Sequence, residues 1–210
     1  MGGLQKQFLR LNKRPVLFYS LDAFAESDIA GVVIVVPEEK IAYTRRLIKG
    51  KYTHLPIDVI AGGKTRRFSS YNGIEFLRRT KQDCGFVVFH DGVRALVSPG
   101  MVNAVISSAR THGAAVLVSR GVNVMVHIQK SVVTAAHSPN AIFNTQTPHC
   151  YRIDWIGEAH ESPVNRGHKR NAYENIELVL AIGKPIHVVE GFYRNTKLTF
   201  PQDVVSLSAL

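Results

Sequence analysis

The chain has 210 residues, 45% of them hydrophobic and 20% charged, which suits one domain of α/β size with a sizeable core and excludes a disordered chain. The 26 Lys and Arg outnumber the 16 Asp and Glu, and the net charge of +10 fits either a solvated basic surface or an attraction for polyanions, nucleic acid or phosphorylated small molecules. No stretch reaches ~18 consecutive apolar residues, so no membrane-spanning helix is expected, and the basic start of the chain lacks the apolar centre of a secretion signal.

In chain order, strands alternate with helices. The apolar run from Ile29 ends in a strand at Ile34–Val36, stopped by Pro37, and Pro37-Glu38-Glu39 opens a helix. Ile57 to Ala61 reads as a second strand, closed by Gly62-Gly63, and Ser69 to Arg79 as a helix with Ile74, Phe76 and Leu77 on its inner side. Gly85 to His90 is a third strand. Ser98 caps a helix that starts with Pro99 and runs to His112, and Ala114 to Ser119 is a fourth strand. The less regular stretch from 122 to 139 is expected to leave the sheet as a β-arm. Helices near Asp154–His160 and Glu174–Ile182 follow, then a strand at Ile186–Glu190 and a last helix from Pro201; Ser162 to Arg170 reads as a loop. This order predicts an α/β fold, a Rossmann-like, doubly wound and mostly parallel sheet in one domain, with ligands at the carboxyl ends of the strands.

Four polar clusters fall at such positions. Lys6, in Gln5-Lys6-Gln7, is an ammonium able to hold triphosphate oxygens, or an ordinary surface charge. Gly62-Gly63-Lys64-Thr65-Arg66, with Ser69 behind it, follows a strand and opens a helix, where glycines admit a ligand close to the backbone and helix N–H groups attract oxygen. The spacing of a Walker P-loop is absent. Asp91, in His90-Asp91-Gly92-Val93-Arg94, is placed to meet Mg²⁺ or a hydroxyl, and Arg94 to meet a phosphate or to pair with Asp91. Lys197 and Thr199 alternate with apolar neighbours and share one face of an extended segment. Each cluster alone also fits a structural turn, salt bridge or polar strand face. The nine histidines show no HxH or HExxH spacing, and Cys84 and Cys150 form no CxxC pair; lone cysteines read as reduced thiols and place the chain in the cytoplasm.

In order, KQFLxL, RPVL, VVP, GGxxRxxS, HDxxR, GAA, QTP, VEG, NxK and PQD run from Gln5 to Asp203. The series resembles the 2-C-methyl-D-erythritol 4-phosphate cytidylyltransferases and their relatives, the ribitol 5-phosphate cytidylyltransferases. The resemblance implies a homodimer joined by a β-arm. It implies transfer of CMP from CTP to a polyol phosphate, in the presence of Mg²⁺ and with release of pyrophosphate. It also implies residue roles. Lys6 would stabilise charge on the α-phosphate, with Lys197 also catalytic. Gly62, Gly63, Lys64 and Ser69 would receive the cytosine, and Arg66 would brace their loop. Asp91 would lie near the ribose, Mg²⁺ and acceptor, and Arg94, Lys197 and Thr199 would hold the acceptor phosphate.

The sequence departs from the family pattern in places. Met1-Gly2-Gly3 looks like the tail of a glycine-rich turn, so the first strand and its triphosphate loop are expected to be missing, which would leave a sheet edge unpaired. Asn123-Val124 stands where the family has Asp-Thr, Pro139 where it has an arginine, Tyr173-Glu174 where it has Thr-Asp, and Ala95 where it has proline. Methylerythritol phosphate is the first expected acceptor and ribitol phosphate the second. A family member without catalysis and a nucleic-acid-binding domain are the rival classes, the latter resting on charge alone because the basic residues form no stripe.

Overall fold

The computed structural model describes residues 5–121, 123–140, 142–162, 174–199 and 203. The expected turn at Met1-Gly2-Gly3, most of the loop beginning at Ser162, and the last helix from Pro201 lie outside the described residues.

A short 3-10 turn at Lys6–Phe8 leads into a small antiparallel hairpin, β1 (Arg10–Leu11) with β2 (Arg14–Pro15), and then α1 (Val16–Ala25). Next come β3 (Val32–Val36), a 3-10 turn at Glu38–Lys40, α2 (Ile41–Ile48), β4 (Ile57–Ala61), α3 (Arg66–Thr80) and β5 (Phe86–Phe89). The chain continues with α4 (Pro99–His112), β6 (Ala114–Arg120), β7 (Met125–Gln129), β8 (Val132–His137) and β9 (Phe143–Arg152). Last come α5 (Ile153–Glu161), α6 (Asn175–Ala181) and β10 (His187–Glu190).

The sheet is mixed. Its larger part has the order β10-β6-β9-β5, with β10 parallel to β6 and β9 antiparallel to both of its neighbours. Strand β6 explains why this part is central. Its sequence AAVLVSR is apolar on both faces: Ala115 and Leu117 pack with Val102, Val105 and Ala109 of α4, while Ala114, Val116 and Val118 pack with Ile74 of α3, Ile156 of α5 and Leu178 of α6. Helices therefore cover both faces, as the alternation of elements predicts. The smaller part is the parallel pair β3 and β4, with a core of Leu17, Phe18, Leu21, Ile34, Val36, Ile48 and Val59. Among the described residues β3 pairs only with β4, and β5 only with β9, so no strand joins the two parts.

The cap of α4 is as read: the Ser98 hydroxyl accepts the N–H of Met101 and Pro99 occupies the first turn. The β1–β2 hairpin, helix α1 and strand β9 were not anticipated. Helix α1 follows Pro15 directly and has no side-chain cap; its buried face of Val16, Leu17, Ser20, Leu21 and Phe24 is what holds it. Strand β9 (FNTQTPHCYR) carries few apolar residues and a proline, yet it lies in the middle of the sheet. The expected arm is a hairpin, β7 paired antiparallel with β8, and every residue of both strands is exposed.

Burial holds three histidines neutral. The pKa values of His90, His149 and His160 are each lowered from 6.5 to about 4, chiefly by desolvation. The unfolded chain binds these protons near pH 6.5 and the folded one only near pH 4, so stability is full above pH 6.5 and is lost as the pH falls through that window. We expect a loss of roughly 1–3 kcal/mol per histidine on going from neutral pH to about pH 4. Urea midpoints measured across this range check it, and a flat profile would contradict it.

Candidate active site

The site is built at the carboxyl ends of β4, β5 and β10. Asp91 lies just past β5, with its side chain 13% exposed. One carboxylate oxygen, Oδ1, meets Arg66 Nη2 at 3.1 Å; the other, Oδ2, meets Lys197 Nζ at 3.1 Å and Arg94 Nε at 3.6 Å. Burial alone would raise its pKa, but Arg66, Lys197 and Arg94 together outweigh burial and hold the carboxyl well below the usual carboxylate range. The group is an anion at any physiological pH, surrounded by cations drawn from three separate segments.

Those segments are tied together by backbone contacts. Leu198, 1% exposed, anchors the segment after β10: its N–H donates to the carbonyl of Val93 at 3.1 Å. Arg94 Nη1 donates to the carbonyl of Asn195 at 2.8 Å, and Asn195 Nδ2 donates to the carbonyl of Thr147 at 3.0 Å. Gly191 lets the chain turn back over β6. A Cβ there would come within 2.6 Å of Leu117 Cγ and 2.7 Å of Gln146 Oε1, so no larger residue fits the VEG turn. With Leu198 inward, Lys197 is 42% exposed at the mouth of the site, as the alternation of the segment predicts. Lys6 reaches the same rim, its ammonium donating to the carbonyl of Thr199 at 2.7 Å.

The Gly62–Ser69 turn is held from inside. Ser69 Oγ accepts the N–H of Gly63 at 3.1 Å and lies 3.0 Å from the carbonyl of Thr65, to which it donates, while Thr65 Oγ1 caps α3 by accepting the N–H of Phe68 at 3.3 Å. A Cβ on Gly63 would stand 2.3 Å from Phe68 Cβ. Lys64 is exposed. Arg66, expected to brace this turn, spans the mouth of the site, meeting Asp91 at 3.1 Å and Glu174 at 2.6 Å. Glu174 stands out in the sequence only as a departure from the family pattern. Its role depends on a contact across 108 positions, which no local pattern carries.

The structure therefore brings Asp91, Arg94, Lys197 and Arg66 into direct contact and places Lys6 beside Thr199. Gly62, Gly63, Lys64 and Ser69 form a separate lobe, joined to Asp91 through Arg66. Thr147, Asn195 and Gln146 were legible only as parts of the QTP and NxK strings; they support the site from β9 and from the segment after β10. No cluster of three or more His, Cys, Asp or Glu occurs among the described residues; the carboxylates at this site are Asp91, inside it, and Glu174, at its mouth.

Comparison with known proteins gives a consistent answer. Residues 1–210 match the family of 2-C-methyl-D-erythritol 4-phosphate cytidylyltransferase. A Desulforamulus reducens protein of that name is 34% identical over 209 residues, covering 98% of this chain and 87% of its own length. A Clostridium perfringens protein of the same name is 30% identical over 207 residues, covering 96% of this chain and 88% of its own. Among solved structures, the 2-C-methyl-D-erythritol 4-phosphate cytidylyltransferase of Thermus thermophilus superposes with a TM-score of 0.79 at 28% identity, covering 97% of this chain and 92% of its own. A 4-diphosphocytidyl-2C-methyl-D-erythritol synthase from Anaerococcus prevotii, 20% identical, shares the fold with a TM-score of 0.86, covering 97% of this chain and 91% of its own.

Proposed function

The chain belongs to the 2-C-methyl-D-erythritol 4-phosphate cytidylyltransferase family, and from that premise we propose that it transfers CMP from CTP to 2-C-methyl-D-erythritol 4-phosphate in non-mevalonate isoprenoid precursor synthesis. The observation that carries the reading is the largely buried carboxylate of Asp91 ringed by Arg66, Arg94 and Lys197. A phosphate oxygen of the acceptor forms a bond to the α-phosphorus of CTP, the bond from that phosphorus to the bridging oxygen breaks, and pyrophosphate leaves with the electron pair. Such a reaction needs aligned charges more than a protein base.

Lys6 stabilises charge on the α-phosphate. Arg94 and Lys197 receive the acceptor phosphate, with Thr199 beside them. Gly62, Gly63, Lys64 and Ser69 receive the cytosine, and Arg66 links that lobe to Asp91. The donor set fits Mg²⁺: this ion is commonly held by one or two carboxylates plus substrate phosphates and water, and Asp91 supplies the carboxylate. When bound, the ion neutralises triphosphate charge. The test is pyrophosphate release from CTP and Mg²⁺, with methylerythritol phosphate and ribitol 5-phosphate in parallel. Release with the first acceptor alone is expected; release with ribitol phosphate alone would move the assignment to that relative, and silence with both would overturn it.

The single domain spans residues 1–210, with the stretch 122–139 as the dimerising arm. Support comes from the β7–β8 hairpin, where Met125, Val126, Ile128, Val132 and Val133 are each 45–62% exposed. An isolated two-stranded hairpin is marginal in water and an apolar one invites a partner; a second copy of the chain is that partner. Val126→Asp with Val133→Asp should shift the protein from dimer to monomer in sedimentation at micromolar concentration, and an unchanged dimer would remove the arm from the interface. The reaction runs in the cytoplasm, which the unpaired Cys84 and Cys150 support, and no described helix is long and apolar enough to cross a membrane.

A further inference from the structure

Asp91 and Arg94 belong to one tight turn, closed by the Arg94 N–H donating to the Asp91 carbonyl at 3.0 Å. Hydrogen-bonding groups reach this turn from the protein interior, and they form a single chain. The N–H of Asp91 meets Thr147 Oγ1 at 3.0 Å, Thr147 Oγ1 meets His90 Nδ1 at 3.1 Å, His90 Nε2 meets Ser20 Oγ at 3.3 Å, and Ser20 Oγ meets the carbonyl of Arg94 at 3.3 Å. Thr147 is 2% exposed and Ser20 4%, so water does not substitute at these links. The His90 ring is also held by Phe24, at 5.1 Å between centroids.

The direction of every bond follows from the two ends. A backbone N–H can only donate and a carbonyl can only accept. Ser20 therefore spends its one proton on the Arg94 carbonyl, so it must accept from His90, which puts the imidazole proton on Nε2. Nδ1 is then an acceptor, and the Thr147 hydroxyl donates to it while accepting the Asp91 N–H. A doubly protonated ring would leave the buried Thr147 hydroxyl proton without a partner, so the neutral Nε2–H ring is the arrangement that makes all four bonds and uses every proton.

We propose that His90 is a positioning residue of the transfer reaction: as its Nε2–H tautomer it is the middle link of a one-way relay, Asp91 N–H to Thr147 to His90 to Ser20 to Arg94 C=O, that fixes the Asp91–Arg94 turn against β9 and α1. The proposal rests on the cytidylyltransfer reading for its consequence but not for its geometry. The relay touches neither the Gly62–Ser69 lobe nor any side chain assigned to a substrate. Its effect is on the placement of Asp91 and Arg94, and thus on the acceptor and the reacting phosphate.

Ser20→Ala cuts the link at the Arg94 carbonyl. We expect kcat to fall about tenfold, because small misplacements of aligned groups are costly, while KM for CTP changes less than about twofold. Thr147→Val should lower kcat likewise, and Thr147→Ser, which keeps the hydroxyl, should restore it. A lower melting temperature with unchanged kcat in both Ser20→Ala and Thr147→Val would reduce the relay to a structural feature. Independently of turnover, long-range ¹H–¹⁵N spectra of the wild-type protein should show His90 protonated on Nε2 at neutral pH; protonation on Nδ1 would overturn the relay. Absence of pyrophosphate release by the wild type would sink the reaction assignment alone, and the tautomer would still decide the relay.

Discussion

Asp91→Asn is expected to lower kcat by roughly 10³-fold, the scale of removing a preorganised charge from a transfer site. The amide keeps the shape of the carboxylate and loses its charge, so Arg66, Arg94 and Lys197 remain as a cationic cluster without their central anion. Two of these side chains, Arg66 and Lys197, are about 40% exposed and relax into water, which limits the cost in stability to about 1–2 kcal/mol. The kinetic signature is specific. An anionic acceptor meets more positive charge in the variant, so its KM should not rise and is expected to fall, while kcat collapses. Steady-state kinetics with the acceptor varied measure both parameters. A variant retaining kcat within tenfold would make Asp91 a structural acid, a clamp for its three cations.

Gly63→Ala is the second large effect. A Cβ at this position would meet Phe68 Cβ at 2.3 Å and the Phe68 carbonyl carbon at 3.0 Å. The Phe68 ring is 56% exposed and can swing away, but its Cβ and carbonyl carbon are fixed by the first turn of α3. The turn must therefore move, and with it the Gly63 N–H that now donates to Ser69 Oγ. We expect KM for CTP to rise about 10²-fold with melting temperature nearly unchanged, since the turn is on the surface. An unchanged KM for CTP would remove this lobe from nucleotide binding.

These two positions differ in how the sequence exposes them. Asp91 is legible because the apolar run Phe86–Phe89 marks a buried strand and the first acid after it must sit at the strand's end. Gly63 is legible as a paired glycine, but the reason for it, the approach of Phe68, needs the third dimension. Strand β9 was hidden for a physical reason. Its polar residues Gln146 and Thr147 are each under 5% exposed, and they tolerate that burial because their partners lie far away in sequence: Gln146 Nε2 donates to the carbonyl of Phe192, and Thr147 joins Asp91 and His90. Period-2 patterning cannot reveal a strand whose inward side chains are satisfied by hydrogen bonds. Helix α1 was hidden because packing against the β3–β4 core, not a capping signal, ends its freedom. Glu174 escaped as a site residue because only the reach of Arg66 gives it one.

The division of the sheet also bears on how the molecule opens. Among the described residues β3 and β4 are bonded only to each other and wrapped by their own small core, so this half can part from the rest without breaking a ladder of backbone hydrogen bonds. Amide protons of β3 and β4 should therefore exchange with solvent well before those of β6 and β9, through a local opening of lower free energy than global unfolding. The Gly62–Ser69 turn is the continuation of β4, so a nucleotide gripping that turn while its phosphates meet the Lys6 and Asp91 side would act as a bridge between the halves. Protection in β3 and β4 would then rise with CTP concentration, and the nucleotide would serve as a strut of the fold as well as a substrate.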